Sequence, residues 1–406
     1  MSANYTIITA DSHAGGSHAD YREYLDSAYH ADFDAWRGKY KNPFKDLRDD
    51  RRSRNWDNDQ RWSEQQADGV VGEVIFPNTV PPFFPSFVLF AQPPKPNEYE
   101  HRHAGVQAHN RWLVDFVKQY PEQRAGIGQI FTNDIDDAIA DALWCKENGL
   151  RGGVLLPNVS PDAATWVKPL YDPEYDRLWK VLEDNEIPIN VHGGTGVPAY
   201  GNYPFSMLLY INEVSFYAQR PFVHFVLGGV FERFPKLKFV ITETGSHWMP
   251  SLLNNLDATI KQIRETGATG EIRYREGDMR NLLASECFEQ NVWMGVSQPR
   301  RADVETLEIF GGPIKVDRFM WGNDYPHDEG TYPFTREHLR QVFEGVGEAE
   351  LRKILGSNAA DLYGFDMAAL APLAAQHGPT VAELAEPLGG LPADANDALR
   401  RGLQPV

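Results

Sequence analysis

Eight short apolar runs, separated by amphipathic stretches, constrain this sequence more than any other feature in it. They fall at Tyr5–Ala10, Val70–Phe76, Arg124–Ile130, Gly153–Leu156, Ile187–Val191, Lys238–Thr242, Val292–Gly295 and Arg318–Trp321. Strands buried on both faces read as continuous Val/Ile/Leu-rich runs rather than alternating ones, and strands that alternate with helical patterns indicate parallel pairing through crossover helices. The helices between them are legible too. Glu98–Tyr120 stops at Pro121, Ile135–Glu147 stops at Asn148-Gly149, and Pro173–Asp184 carries Leu178, Val181 and Leu182 at helical spacing. Eight such units predict an α/β chain folded as a (β/α)8 TIM barrel over residues 1–365.

The polar residues cluster where that fold opens. Asp11-Ser12-His13 follows the first run, Pro77-Asn78 the second, His192-Gly193-Gly194 the fifth, Glu243-Thr244-Gly245 the sixth and Gly322-Asn323-Asp324 the eighth. In a barrel all these strand ends share one rim, where the active sites of the architecture lie. Asp11 and His13 are two apart on an extended segment, so both side chains point the same way. His192 precedes a glycine run that lets backbone pass close to an ion. Glu243 ends the apolar run FVIT without an obvious basic partner, and a carboxylate in that position needs a cation or donors to neutralise it. Asp324 is placed both to bind a metal and to move a proton. The expected metal ligands are therefore Asp11, His13, His192, Glu243 and Asp324.

Composition narrows the alternatives. With 57 acidic against 39 Lys and Arg residues, the net charge is −18, which disfavours nucleic acid and anionic membrane surfaces. The nearest basic patch, residues 48–54 (RDDRRSR), is interleaved with aspartate and reads as a solvated or salt-bridged loop. Cys145 and Cys287 are too few for a disulfide framework and sit in helix-like contexts as buried thiols. No run of about 18 apolar residues occurs and the N-terminal MSANYTIITADSH lacks a signal-peptide pattern, so a cytoplasmic location is expected.

Two insertions interrupt the repeat. Residues 18–68 are charged and Trp-bearing, and residues 79–96 are rich in Pro and Phe; both are expected as loops over the barrel mouth, serving as substrate cover or as an oligomer contact. Asn78, Phe83 and Phe84 then become candidate substrate contacts. So does Arg300, which with Arg301 forms a basic pair able to clamp a carboxylate. Residues 366–406 form a C-terminal extension, expected to pack on a neighbouring subunit or to stay partly loose. His224, inside PFVHFVLGGVF, reads as a satisfied core residue.

The opening ADSH, the stretch GGVFERFPKLKFVITETGSHWMP, the phrase WGNDYPH and the close ILGSNAADLYGF resemble the amidohydrolase superfamily, in the amidohydrolase-related branch of metal-dependent hydrolases and decarboxylases. The resemblance runs from about residue 5 to residue 365 and implies a distorted barrel with metal bound at the ends of strands one, five, six and eight. Carried over by position, the ligands are again Asp11, His13, His192, Glu243 and Asp324. Asp11 stands where many members have the first His of a His-x-His pair, Glu243 where strand six often ends in His, and no lysine follows strand four. Three carboxylates with two imidazoles suit Mn or Fe, while Zn also accepts such ligands. One ion or two can be held, with His18, Glu73, His247 and His327 as sources of further ligands; alternatively His247 and His327 are hydrogen-bond partners or substrate contacts, and with Asp324 they are the candidate catalytic residues.

The first functional reading is a metal-dependent hydrolase or non-oxidative decarboxylase of a small carboxylate, amide or lactone, in which the metal activates bound water and Asp324 shuttles the proton. The second is a dinuclear Mn/Fe or Fe/Fe oxygenase hydroxylating a small aliphatic substrate. The third is a non-catalytic partner subunit that retains the barrel. A homodimer or higher oligomer is expected, with a heteromeric partner as the alternative.

Overall fold

The computed structural model describes residues 3–41 and 49–404. Its framework is a ring of parallel strands: β1 (Ile7–Ala14), β2 (Val70–Pro77), β3 in two pieces (Arg124–Gly126 and Gly128–Gln129), β4 (Val154–Leu155), β5 (Ile189–His192), β6 (Phe239–Thr242), β7 (Val292–Ser297) and β8 (Phe319–Gly322). Each pairs in register with the next, as Ile8 with Gly72, Val74 with Ala125, Val154 with Ile189, Asn190 with Val240, Ile241 with Met294 and Val296 with Trp321. β3 changes partners midway: Ile127 N donates to Ile75 O on β2 at 3.0 Å, and Gly128 N donates to Gly153 O beside β4 at 2.9 Å. The ring closes where Asp324 N donates to Asp11 O at 3.0 Å and His13 N to Tyr325 O at 2.7 Å. The eight expected runs are these eight strands, and the barrel is the predicted fold.

One boundary differs from the sequence reading. β1 runs through Ala14, so Asp11, Ser12 and His13 lie inside the strand rather than after it. Alternation then settles their directions. Ser12 turns out to Glu73 (3.0 Å), while Asp11 and His13 turn inward together.

Two apolar layers hold the ring. Outside it, helices such as Ile135–Glu147, capped by Asp134 on the backbone N–H groups of Asp136 and Asp137, pack a large core containing Trp179, Phe225, Phe231 and Phe239. Inside it, Ile8, Val74, Ala125, Leu155, Val240 and Met320 come from six of the eight strands and fill the lumen. Tyr363, on the final barrel helix Asn358–Tyr363, closes the floor by donating to Asn190 Oδ1 at 2.9 Å.

The first insertion is helical rather than a loop. His18–Tyr24, His30–Lys39 and Asn58–Ala67 are helices, the first begun by a capping box between Ser17 and Asp20. Residue 48 of the basic run lies outside the described residues; Arg54, at its end, pairs with Glu64 at 2.7 Å. The second insertion stays non-helical above the rim, tied down where Asn78 N meets Ala14 O at 3.0 Å.

The C-terminal extension packs on its own barrel. Helix Met367–His377 buries Leu370 and Ala374, and Tyr5 N donates to Pro379 O at 2.9 Å under the barrel floor. From there the chain climbs to the rim, where Asn396 Nδ2 donates to Gly330 O at 2.9 Å and Arg301 N to Gly402 O at 2.7 Å. Both cysteines are buried and unbonded. His224 is half-buried, not a core residue: it packs edge-on against exposed Tyr171 and burial lowers its ring to about 4. Among the described residues no helix is long and apolar enough to cross a membrane.

Candidate metal centre

The five residues expected at the rim meet there, in two adjoining groups rather than around one point. Asp11, His13 and His192 form the first, and Glu243, Asp324, His327 and Glu329 the second; His13 also falls within reach of Asp324 and His327. Asp11 Oδ1 lies 3.3 Å from both His13 Nε2 and His192 Nε2, while its Oδ2 accepts from Ser297. His13 Nε2 is also 3.2 Å from Asp324 Oδ1, which lies 2.7 Å from His327 Nδ1. Glu243 Oε2 is 3.2 Å from His192 Nδ1, at a half-buried position on the edge of the cluster. The rings pack directly, His13 stacked on His327 at 4.2 Å and edge-on to His192 at 5.1 Å.

Each imidazole has one nitrogen committed to an oxygen that can only accept. His192 Nδ1 donates to Gly193 O at 2.8 Å, His327 Nε2 to Asn78 Oδ1 at 3.0 Å, and His13 Nδ1 faces Pro77 O at 3.5 Å. The opposite nitrogens are thereby turned toward carboxylates, the arrangement that orients metal-binding histidines. Among the described residues His13 Nε2, Asp324 Oδ1 and His327 Nδ1 are buried atoms without a hydrogen-bond partner, although they sit this close together. A shared cation is what such a set lacks, so the residues fit a divalent ion. The mixture of carboxylate oxygens and imidazole nitrogens accommodates Mn, Fe or Zn.

Charge tells the same story. Burial works against charge on every member, yet the His192 and His13 rings hold Asp11 well below its ordinary range. Burial likewise opposes charge on His327, and Asp324 beside it lifts that ring to about 10. Desolvation and the Asp324 charge push the Glu243 carboxyl up. The anions thus draw protons onto the rings, and a divalent ion would displace those protons.

Backbone conformation marks the same rim. Glu243 (φ 57°), Gln298 (φ 40°) and Asp324 (φ 59°) end three successive strands in the left-handed region, which residues with a Cβ seldom occupy. Such outliers persist where surrounding structure over-determines them, and they gather at functional sites. Gln298 uses its position to donate from Nε2 to Asp324 Oδ2 at 2.9 Å, and its Oε1 accepts from Arg401 Nη2 at 3.0 Å.

Other expected site residues go elsewhere. Glu73 is buried in an ion cluster, bound by Arg61 Nη2 (2.5 Å), Arg124 Nε (3.0 Å) and Gln65 Nε2 (2.7 Å), and is a structural anion rather than a spare ligand. His18 donates to Val80 O at 3.1 Å among Phe33, Trp36 and Tyr40. His247 Nδ1 lies 3.1 Å from Asp303 Oδ1, outside both groups. His327, read from sequence also as a mere partner, stands within the cluster itself. Asn78 touches it; Phe83 joins an aromatic cover with Phe33, Trp36 and His101, and Phe84 stacks on Phe131. Arg301 is taken up by Glu305 (3.2 Å) and the Val342 carbonyl (3.2 Å), while the backbone N of Arg300 donates to Asp303 Oδ2 at 2.9 Å. Glu329, Gln298 and Arg401 were not foreseen. Glu329 alone had a sequence signal, its place five residues past Asp324 in DYPHDEG.

Solved structures share this architecture. An amidohydrolase from Mycobacterium avium subsp. paratuberculosis superposes with TM-score 0.65 at 17% identity, covering 90% of this chain and 99% of that one. A 5-carboxyvanillate decarboxylase from Novosphingobium aromaticivorans, with bound manganese, gives 0.65 at 16% identity over 89% and 97% of the two chains. A dihydroxybenzoic acid decarboxylase from Polaromonas, also with manganese, gives 0.60 at 16% over 90% and 99%. At such identities the likeness speaks for the fold. Sequence comparison goes further, because residues 28–365 match the amidohydrolase family profile, and the chain belongs to the amidohydrolase family.

Proposed function

We propose that this chain is a metal-dependent enzyme that decarboxylates or hydrolyses a small carboxylic acid or acyl compound, with non-oxidative decarboxylation favoured. The observation that carries the reading is the set of three imidazoles whose outer nitrogens are committed and whose inner nitrogens face Asp11 and Asp324. Bound manganese in two decarboxylases of the same fold supports it. A divalent ion there supplies Lewis acidity toward a substrate oxygen. Asp11, His13 and His192 would hold it. Asp324 works at the reacting atoms: in decarboxylation it relays a proton, drawn from His327 or from water, to the carbon that loses carbon dioxide, and in hydrolysis it takes a proton from water and passes it to the leaving group. His327, 2.7 Å away, stabilises the Asp324 carboxylate between those steps and is itself held by Asn78. Leu89 and Phe90 of the second insertion lie against Gly194, two residues past His192, and would limit the entry of water there.

The division of ligands into two groups favours a second reading, a dinuclear centre performing oxygen-dependent hydroxylation. Elemental analysis with assays of small carboxylic acids under anaerobic conditions separates the two. One divalent ion per chain and carbon dioxide release without oxygen support the first; two redox ions and an absolute need for oxygen overturn it in favour of the second. The retained donor set gives no support to a non-catalytic role.

For assembly we propose a homo-oligomer. Helix Ser206–Ala218 exposes Met207, Leu208, Ile211 and Phe216, an apolar face of the kind that marks an interface. The second insertion, expected as substrate cover or as such a contact, packs Phe90 against Tyr210 on that helix at 5.1 Å.

A further inference from the structure

Beside the metal cluster but sharing none of its residues, beneath the Pro/Phe insertion and at the ends of β3 and β4, lies a cavity built around Arg102. Arg102 is 4% exposed, and neither its Nε nor its Nη2 has a hydrogen-bond partner among the described residues. The nearest carboxylate, Glu98 Oε2, is 3.9 Å from Nη1, belongs to an exposed side chain and already accepts from Lys95 N at 3.1 Å. The guanidinium rests instead on rings, its Cζ 4.4 Å from the centroid of Phe84 and 5.5 Å from that of Phe131. Burial lowers it only to about 10, so it stays cationic at neutral pH.

Two further atoms in the wall are also unsatisfied. Gln129 Nε2 and Asn158 Oδ1 are buried and lack hydrogen-bond partners among the described residues. Donation from Asn158 Nδ2 to Tyr217 O at 2.8 Å fixes that amide, leaving its oxygen as an acceptor. Natural proteins rarely bury several polar atoms unpaired around one space, least of all a charged one. The wall continues through Thr195 and Gly196, directly after the His192 glycine run, so the cavity neighbours the metal cluster.

We propose that this cavity binds a carboxylate: Arg102 and Gln129 donate to the acid group, and Asn158 Oδ1 accepts from a hydroxyl or amine beside it. The ligand class is a small 2-hydroxy or 2-amino acid, or that portion of a larger acid. The cavity needs no metal to do this; only the further step, that the bound acid is the enzyme's substrate, rests on the function proposed above.

Glycolate is the probe, with glycolamide as its neutral isostere. Calorimetry or ligand-observed NMR is run on the full-length protein as purified, and again after a chelating resin has removed divalent ions. Glycolate binding that survives metal removal, is at least about tenfold tighter than glycolamide binding, and falls at least about tenfold in Arg102→Met supports the proposal. Arg102→Met protein alone is expected to melt no lower than wild type, because an unpaired buried charge has been replaced by an apolar chain. Gln129→Leu, which keeps the guanidinium, is the second variant and should also weaken glycolate. Binding that vanishes with the metal overturns the proposal by placing the acid at the metal cluster. Equal glycolate affinity in wild type and both variants overturns it. So does absence of binding in wild type; a lower melting temperature in Arg102→Met then makes the guanidinium a ring-stacked structural group.

Discussion

Gln298 donates to Asp324 Oδ2 across 2.9 Å, and through Gln298 the C-terminal Arg401 is joined to the metal centre. Groups that hold ligands from behind change metal affinity by about 10- to 100-fold when removed. Gln298→Leu is expected to weaken metal binding by about tenfold or more, and Arg401→Met by less, since it acts one bond further away. Metal titration by calorimetry checks both, and unchanged affinity in Gln298→Leu would deny the contact any role.

Asp324 and His13 should separate chemistry from binding. Asp324→Asn is expected to retain metal and lose turnover by at least about 100-fold, the scale of a lost general acid or base. His13→Ala, which removes a nitrogen facing both Asp11 and Asp324, should instead lose the ion. Metal content measured beside kcat distinguishes them, and wild-type turnover in Asp324→Asn would dispose of its proton role.

Acid stability should report His109. Its ring is buried, its Nδ1 lies 2.7 Å from the Tyr21 hydroxyl, and burial lowers it to about 3. An unfolded histidine binds a proton near pH 6.5, whereas the folded one refuses it until about pH 3. Stability contributed by the neutral ring is therefore complete above the unfolded value and lost as pH falls from 6.5 toward 3, by about 1.4 kcal/mol per pH unit at most. Denaturant titrations between pH 7 and pH 4 should show a shallower slope in His109→Gln than in wild type.

Glu73 balances two buried guanidinium groups. Glu73→Gln leaves Arg61 and Arg124 without their shared anion and is expected to cost about 3–5 kcal/mol. The midpoint of chemical unfolding measures this. Metal affinity should change far less than in His13→Ala, because Glu73 faces away from the ion.

Helix Ser206–Ala218 predicts the assembly state. Leu208→Glu with Ile211→Glu should convert an oligomer to monomer in light scattering while leaving the circular dichroism spectrum unchanged. A mass identical to wild type would move the interface elsewhere.

Much of this was legible in the sequence because a doubly buried strand needs an uninterrupted apolar run, and a rim residue must directly follow one. Val70–Phe76 and Lys238–Thr242 announce β2 and β6 for the first reason, and His192 and Glu243 announce themselves for the second. The helices of the first insertion were hidden by their polarity, although Ser17 and Asp20 carried a capping signal that went unread. Gln298 and Arg401 were hidden for a deeper reason. Their contacts depend on the path of a tail whose composition carries no strand or ligand pattern, and the left-handed turns at Glu243, Gln298 and Asp324 lack the glycine that would advertise them.

The bond between Asp324 N and Asp11 O ties the first strand of the ring to the segment that follows its last. Without that contact Glu243 would lose Asp324, His327 and Glu329, the other members of its group. Closing the barrel and delivering Asp324 to the cluster are thus one and the same contact.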